Sequence, residues 1–326
     1  MKDIVIGVDI GGTKIATGAV SGGGEIIKKK ILPTHAEKGR EASFSQVVRS
    51  ISEVLDEAGI SAGETGGIGL CAPGPLDPDR GIVHNPPNLF GWKDVPLAGL
   101  IEEEFGVRTR LENDANAAGM AEVLWGAASG KKDVFYVTVS TGIGTAIIIG
   151  GRIYHGKNGM AGEGGHVTID YKSEYTCNCG NIGCIETLAS GPNTVKRLRD
   201  RFDRDKGLDS LLNDMAGGDP EGLTMEHIAE AARQGDRVAL ETVEEQGKLL
   251  GVWLGSMISL LDPEIIVIGG GVSLMGEMLF KPVRDNIPSR TINIFAEKTP
   301  VVQARLKKDV GILGAASIMK EEKAES

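Results

Sequence analysis

A chain of 326 residues is long enough for two domains, each with its own core, and 41% hydrophobic content is ordinary for a globular protein. Acidic residues outnumber basic ones 45 to 35, for a formal net charge of −10, which argues against a broad nucleic-acid surface. The N-terminal apolar run is too short for a secretory signal and is broken by Asp9, and the run near residues 252–261 is far short of a membrane span. The expectation is a cytoplasmic protein with no membrane partner.

Ile4 to Asp9 has the pattern of a buried strand, Gly11-Gly12-Thr13 turns it, and Lys14 to Val20 reads as a second strand. A phosphate loop of the Gly-x-x-x-x-Gly-Lys-Ser/Thr kind opens a helix, and this stretch has no such match. A glycine hairpin can still aim backbone N–H groups at a phosphate, although a tight hairpin without a ligand is the commoner use of the pattern. The pattern returns about 130 residues later: Asp133 to Val139, then Ser140-Thr141-Gly142-Ile143-Gly144, then a strand at Thr145 to Ile149. That period is too long for a solenoid and predicts two related domains facing each other, their hairpins gripping one nucleotide triphosphate.

Between the copies, Phe44, Val47, Val48, Ile51, Val54 and Leu55 recur at helical spacing, predicting a helix over 41–58. Gly67 to Cys71 is a strand ended by Ala72-Pro73-Gly74-Pro75, with Cys71 read as a small buried apolar residue. After the loop Asn85 to Asn88, a short helix begins near Pro96, and Val107 to Leu111 is another strand. It delivers Glu112-Asn113-Asp114-Ala115-Asn116 to the start of a helix running to about Ala127. Asp114 stands where ligands gather in α/β folds, as a carboxylate able to take the proton of an attacking hydroxyl. The competing role for Asn113 or Asp114 is a plain helix cap.

The densest chemistry lies at Gly162 to Glu186. Cys177, Cys179 and Cys184 fall within eight residues, and His166 stands eleven residues before the first of them. Three thiolates and one imidazole complete a tetrahedral zinc shell with no open position, so the metal is read as structural. Cys177 and Cys179 are too close to bond each other comfortably, and three cysteines leave one over, which disfavours disulfides. A short strand and loop are expected between His166 and Cys177. With one ring nitrogen of His166 on metal, the other carries a proton and needs an acceptor. Glu163 and Glu186 flank a filled shell; they are either surface glutamates or, with the imidazole N–H, a site for a polyhydroxylated molecule.

Further on, Pro192 to Phe202 and Met225 to Arg233 read as helices, and Asp236 to Leu261 as a long helix with Gly247, Gly251 and Gly255 on one face. Those glycines allow close helix packing, within the domain or against another subunit. Glu264 to Ile268 is a buried strand, and Gly269-Gly270-Gly271 lets backbone approach a flat or phosphorylated group. Spacing excludes the dinucleotide fingerprint Gly-x-Gly-x-x-Gly here. A helix from Gly311 to about Lys320 is long enough to pack back on the first domain, followed by a charged, frayed tail.

Together these residues resemble the ROK family of sugar kinases and regulators over nearly the whole chain. The most specific part is Glu163 to His166 with Cys177-x-Cys-Gly-x-x-Gly-Cys-x-Glu186. Asp9 to Lys14 is similar to the first phosphate motif, Thr141 to Gly144 to the second and Ile265 to Gly271 to the adenosine motif. Pro73 to Pro75, Pro87 to Leu89 with Trp92, and Glu112 to Ala115 look most like the bacterial glucokinase branch. The departures are Ser140, where many relatives have glycine, and Thr145-Ala146 in place of the commoner Gly-Gly.

The resemblance implies an α/β, two-domain actin-like ATPase (ribonuclease H-like) fold, with a duplicated strand–glycine turn–strand core and a ligand cleft between domains. The small domain would hold 1–114 and about 305–326, and the large one 115–304. By the same resemblance Asp114 is the catalytic base. Asn113, Gly74, Glu163, His166 and Glu186 join it in binding the sugar. Asp9, Gly11, Gly12, Thr13, Lys14, Thr141, Gly142, Gly144, Gly269 and Gly270 serve ATP, with Asp9 helping to hold Mg²⁺ and His166, Cys177, Cys179 and Cys184 holding Zn²⁺. The implied activity is ATP-dependent phosphorylation of glucose or a related hexose by a dimeric or tetrameric enzyme. Other hexoses, N-acetylhexosamines and polyphosphate are alternatives. Sugar-responsive repressors of the family carry a helix-turn-helix ahead of the first phosphate motif, and only eight residues precede Asp9.

Overall fold

The computed structural model describes residues 3–205 and 207–320. The charged tail expected to fray lies outside the described residues.

Runs of β-branched and small apolar residues split by glycine turns build the first sheet. β1 (Val5–Ile10) and β2 (Lys14–Val20) pair antiparallel around the Gly11–Thr13 turn, with Asp9 opposite Ala16, and β3 (Ile26–Pro33) adds antiparallel to β2. On the other side of β1, β4 (Ile68–Ala72) joins in parallel. The hairpin of β5 (Leu76–Asp77) and β6 (Ile82–Val83) follows. β7 (Thr109–Asn113) is parallel to β4 and completes the order β3-β2-β1-β4-β7. The second sheet contains β8 (Val134–Val139), β9 (Ile143–Ile149), β10 (Arg152–Ile153), β11 (Ile265–Gly269) and β12 (Val301–Gln303), ordered β10-β9-β8-β11-β12. Numbered within itself, each sheet runs 3-2-1-4-5, so the echo read in the two hairpins extends to whole-sheet topology. β9 starts at Ile143, two residues earlier than expected, so Gly144 lies in a strand and the turn is shorter.

One unit comprises the chain through Tyr136, Ala146–Gly162 and the chain from Arg305. Its core joins Val47, Ile51, Val54 and Leu55 of α1 (Arg40–Ala58) to Ile6, Val8 and Ile68 of the sheet, with α2 (Leu97–Phe105) adding Leu97 and Ile101. The last helix, α10 (Val310–Ser317), packs back on β1, where a Cβ on Gly7 would stand 2.2 Å from the Ile312 carbonyl oxygen. α10 also lies against α3 (Asp114–Trp125), where a Cβ on Gly314 would meet the Ala117 backbone at 2.8 Å. Glu122 of α3 is fully buried and accepts backbone N–H bonds from Ala127 (2.6 Å), Arg305 (3.1 Å) and Leu306 (2.9 Å). These ties place 115–136 in the first unit, whereas the sequence reading drew its boundary at residue 114.

The other unit comprises Val137–Thr145 and Glu163–Ala304. Its helices are α4 (Ile185–Ala189), α5 (Gly191–Arg204), α6 (Leu211–Met215), α7 (Met225–Arg233), α8 (Arg237–Leu261) and α9 (Glu277–Asn286). Asp236 caps α8 by accepting the Ala239 N–H at 2.8 Å. The glycine face of α8 packs inside this unit. A Cβ on Gly247 would lie 2.6 Å from Pro282, one on Gly251 2.6 Å from the Val283 carbonyl oxygen, and one on Gly255 2.8 Å from Arg290.

Candidate active site

In the first unit, Asp9 sits near the C-terminal end of β1, before the turn. It is partly buried, and burial holds its carboxyl above the usual 3.8 against the opposing pull of the Cys71 thiol and Lys14. Cys71 is fully buried, as expected, in a core cluster with Ala117, Ala315 and Ile318. Its thiol lies 3.6 Å from Asp9 Oδ1 and 3.5 Å from the Gly311 carbonyl oxygen, and burial pushes its pKa well up. The turn is closed by the Gly11 N–H to the Lys14 carbonyl at 2.9 Å, with Lys14 exposed. Gly12 fits closely under Asn88, whose carbonyl oxygen would be 2.8 Å from a Cβ there. Trp92 is a core residue whose indole N–H donates to Ser43 Oγ at 2.7 Å.

The capping question at β7–α3 has a divided answer. Asn113 is the cap: its Oδ1 accepts from the Ala115 and Asn116 N–H groups at 2.9 and 3.3 Å. Asp114 is the first helical residue, exposed, with Oδ1 accepting the Ala115 N–H at 2.8 Å. A Cβ built on Gly74 would stand 3.7 Å from Asn113 Nδ2, which places Gly74 beside the residue that precedes Asp114.

In the second unit, Ser140 N–H donates to the Gly142 carbonyl at 2.9 Å, and Ser140's own carbonyl takes the Gly191 N–H at 2.9 Å. A cavity of about 580 Å³ is lined by Ser140, Thr141 and Gly271 together with Pro192, Val195, Met225, Ala229 and Met275. Gly270 lies against β8, where a Cβ would be 2.2 Å from the Val139 carbonyl oxygen, and Gly269 ends β11. The sequence reading missed the apolar wall from α5 and α7, because Val195, Met225 and Ala229 have the spacing of ordinary core positions.

Gly164–His166 form one short 3₁₀ turn laid directly on β9. Thr145 Oγ1 accepts the Gly164 N–H at 3.0 Å, and a Cβ on Gly165 would collide with the Ile143 carbonyl oxygen at 2.0 Å. The departure Thr145 therefore ties the Glu163–His166 segment to the second hairpin. Instead of a strand between His166 and Cys177, only isolated bridges form, Thr168 to Cys184 and Thr176 to Ile182. Glu163 precedes the turn with its side chain exposed.

His166, Cys177, Cys179 and Cys184 bring their ligand atoms within 4.8 Å of one another. His166 Nδ1 is 3.5 Å from Cys177 Sγ, and Cys179 Sγ is 3.8 Å from Cys184 Sγ. Atoms at zinc–sulfur and zinc–nitrogen bond lengths around a tetrahedral centre are about 3.6–3.8 Å apart, so the donor set fits Zn²⁺. Burial and the neighbouring thiols push the Cys184 pKa up to about 12, while a backbone hydrogen bond from Asn181 lowers that of exposed Cys179. Three thiolates this close need a cation. Nδ1 faces the cluster, so with a metal held there Nε2 would be the proton-bearing nitrogen of His166. Glu186, at the start of α4, accepts the Ile143 N–H through Oε2 at 2.9 Å, and its Oε1 is 3.9 Å from Cys177 Sγ.

The repeated 3-2-1-4-5 sheets, each led by a strand–glycine turn–strand hairpin, define an actin-like ATPase fold of the sugar-kinase type. The chain belongs to the ROK family, whose sequence model matches residues 5–322. It is 38% identical to a glucokinase of Thermotoga maritima, over 97% of each chain. Among solved structures, a ROK family glucokinase from Streptomyces griseus in complex with glucose and AMPPNP superposes with a TM-score of 0.81. That likeness is at 33% identity and covers 98% of this chain and 100% of that one. A putative xylose repressor of Caldicellulosiruptor is 29% identical over 97% of this chain and 78% of the repressor.

Proposed function

We propose that this chain transfers the terminal phosphoryl group of ATP to the 6-hydroxyl of glucose. The observation that carries the reading is the trio Asp114, Asn113 and Gly74 at the C-terminal end of β7, in a chain similar to glucokinases along its full length. Asp114, exposed at the first turn of α3, is the general base that takes the hydroxyl proton, a contribution of about 10²–10⁴-fold. Asn113 spends its carbonyl oxygen on the cap and keeps its amide N–H₂ for a sugar hydroxyl. Glu163, Glu186 and the Nε2–H of His166 hold the hydroxyls at the C1–C2 end.

Phosphoryl transfer depends mostly on positioning and charge neutralisation. Backbone N–H groups of the Gly11–Thr13 and Thr141–Gly142 turns supply part of that neutralisation. When bound, Mg²⁺ neutralises phosphate charge, and the partly buried carboxylate of Asp9 is the hard oxygen donor that would hold it, through water. The cavity beside Ser140 and Gly271, apolar on its α5 and α7 walls, takes the adenine ring. Zn²⁺ on its four ligands orders the loop that carries Glu163, His166 and Glu186.

Similarity to a xylose repressor favours a second reading, a sugar sensor without turnover. A coupled assay across glucose, fructose, mannose, N-acetylglucosamine and N-acetylmannosamine, with ATP or polyphosphate, decides between them. The expected result is the highest kcat/KM with glucose and ATP. Sugar binding without turnover in every pairing would establish the sensor instead.

A further inference from the structure

We propose that His155 is a positioning residue for phosphoryl transfer, acting through Glu112 on the turn that carries Asp114; this rests on the reading of Asp114 as the base. Glu112 is the residue of β7 just before Asn113 and is only 4% exposed. A buried carboxylate is tolerated when its oxygens are all engaged. Oε1 accepts the Asn113 N–H at 2.8 Å and Asn116 Nδ2 at 3.0 Å, and Asn116 is itself 4% exposed. Oε2 lies 2.7 Å from His155 Nε2, which therefore carries the proton.

One carboxylate thus holds both sides of the Asn113–Asn116 turn: the Glu112–Asn113 peptide, one residue ahead of Asp114, and a side chain from the first turn of α3. His155 is what fixes that carboxylate in turn. It comes from 43 positions later, on the loop after β10, which the Ala161 N–H closes onto the His155 carbonyl at 3.0 Å. Its side chain is 28% exposed, and it lines an open cavity of about 680 Å³ along β7, together with Glu112. Without the imidazole, Oε2 loses this bond, the carboxylate rotates or takes up a proton, and the bonds at Oε1 lose their aim. A displacement of about 1 Å at a catalytic group lowers the rate by about 10²-fold.

The test compares kcat, KM and thermal midpoint for His155→Phe, His155→Gln and Asp114→Asn with ATP and glucose. Gln presents an N–H donor where Nε2 stands. The expected result is that His155→Phe folds and loses about 10–100-fold in kcat with little change in the KM for ATP, and that His155→Gln recovers most of that loss. If His155→Phe does not fold, Glu112→Gln and His155→Ala are compared alone and combined. A large loss of kcat in each single variant, with little further loss in the double, supports the coupling; additive losses overturn it. Near-normal kcat in His155→Phe, or equal losses in the Phe and Gln variants, overturns it too. If Asp114→Asn is inactive while His155→Phe is normal, only this inference fails. If Asp114→Asn is itself active, the reading of the base fails with it.

Discussion

Glu186 Oε2 accepts the backbone N–H of Ile143 at 2.9 Å, so a carboxylate beside the thiol cluster is bonded directly to the second glycine turn. The two motifs lie 43 positions apart in sequence and share one side chain. That contact explains Gly142 independently of any phosphate. A Cβ there would stand 2.5 Å from Glu186 Oε2, and the φ of Gly142 lies outside the left-handed region, so what alanine removes is space.

Gly142→Ala is therefore expected to raise KM for glucose and for ATP together, with kcat/KM reduced at least about 10-fold. Steady-state kinetics with each substrate varied checks it. A change confined to ATP would mean that the glycine serves the phosphates alone.

Removing one thiolate is expected to act differently, because on the proposed reading the metal orders the loop that carries Glu163, His166 and Glu186, and none of these lines the cavity beside Ser140 and Gly271. Structural zinc contributes about 10–16 kcal/mol of apparent binding energy. Cys179→Ser is predicted to weaken glucose binding at least about 10-fold while ATP binding stays within about 2-fold. Calorimetry with each ligand separates these outcomes, and equal losses for both would contradict this role of the metal.

The thiols themselves should differ once the metal is stripped. Cys179 is exposed, with its pKa lowered first by the Asn181 backbone hydrogen bond, whereas burial lifts Cys184 to about 12. Near neutral pH iodoacetamide should label Cys179 first, and Cys184 only as the pH rises toward that value. Mass spectrometry of the chelated protein over a pH series reads this, and both sites should be protected when Zn²⁺ is restored. Equal labelling of the two at neutral pH would contradict the assigned environments.

Features carried by local spacing were legible in the sequence: the two hairpins, the Cys₃His set, the cap at Asn113 or Asp114, and the glycine face of α8. Features made by distant contacts were not. Thr145 appeared only as a departure from Gly-Gly, because its bond to the Gly164 N–H spans 19 positions. Glu112 is legible only as part of the Glu112–Ala115 motif, since its partner His155 lies 43 positions away. The first unit's hold on α3 is equally non-local, resting on Glu122 bonding to Arg305 and Leu306. At Cys71 a strand pattern shows the burial but not that the thiol meets Asp9.

On the proposed reading, Asp9 gives up stability for a role in holding Mg²⁺. Burial raises its folded pKa above 3.8, so the ligand-free protein is destabilised wherever Asp9 is ionised, and this loss disappears as pH falls through the raised value. Asp9→Asn is expected to raise Tm at neutral pH by about 2–4 °C, with the advantage closing in acid. The same variant should need at least about 10-fold more Mg²⁺ for half-maximal activity. A lowered Tm at neutral pH would show that the carboxylate stabilises the fold instead.

The proposed role of Asp114, taking the proton of the sugar hydroxyl, is tested by Asp114→Asn, with kcat and glucose affinity measured on one preparation. The expected result is a kcat reduced at least about 10²-fold, with glucose bound within a few-fold of the unsubstituted protein. A kcat near normal would contradict it.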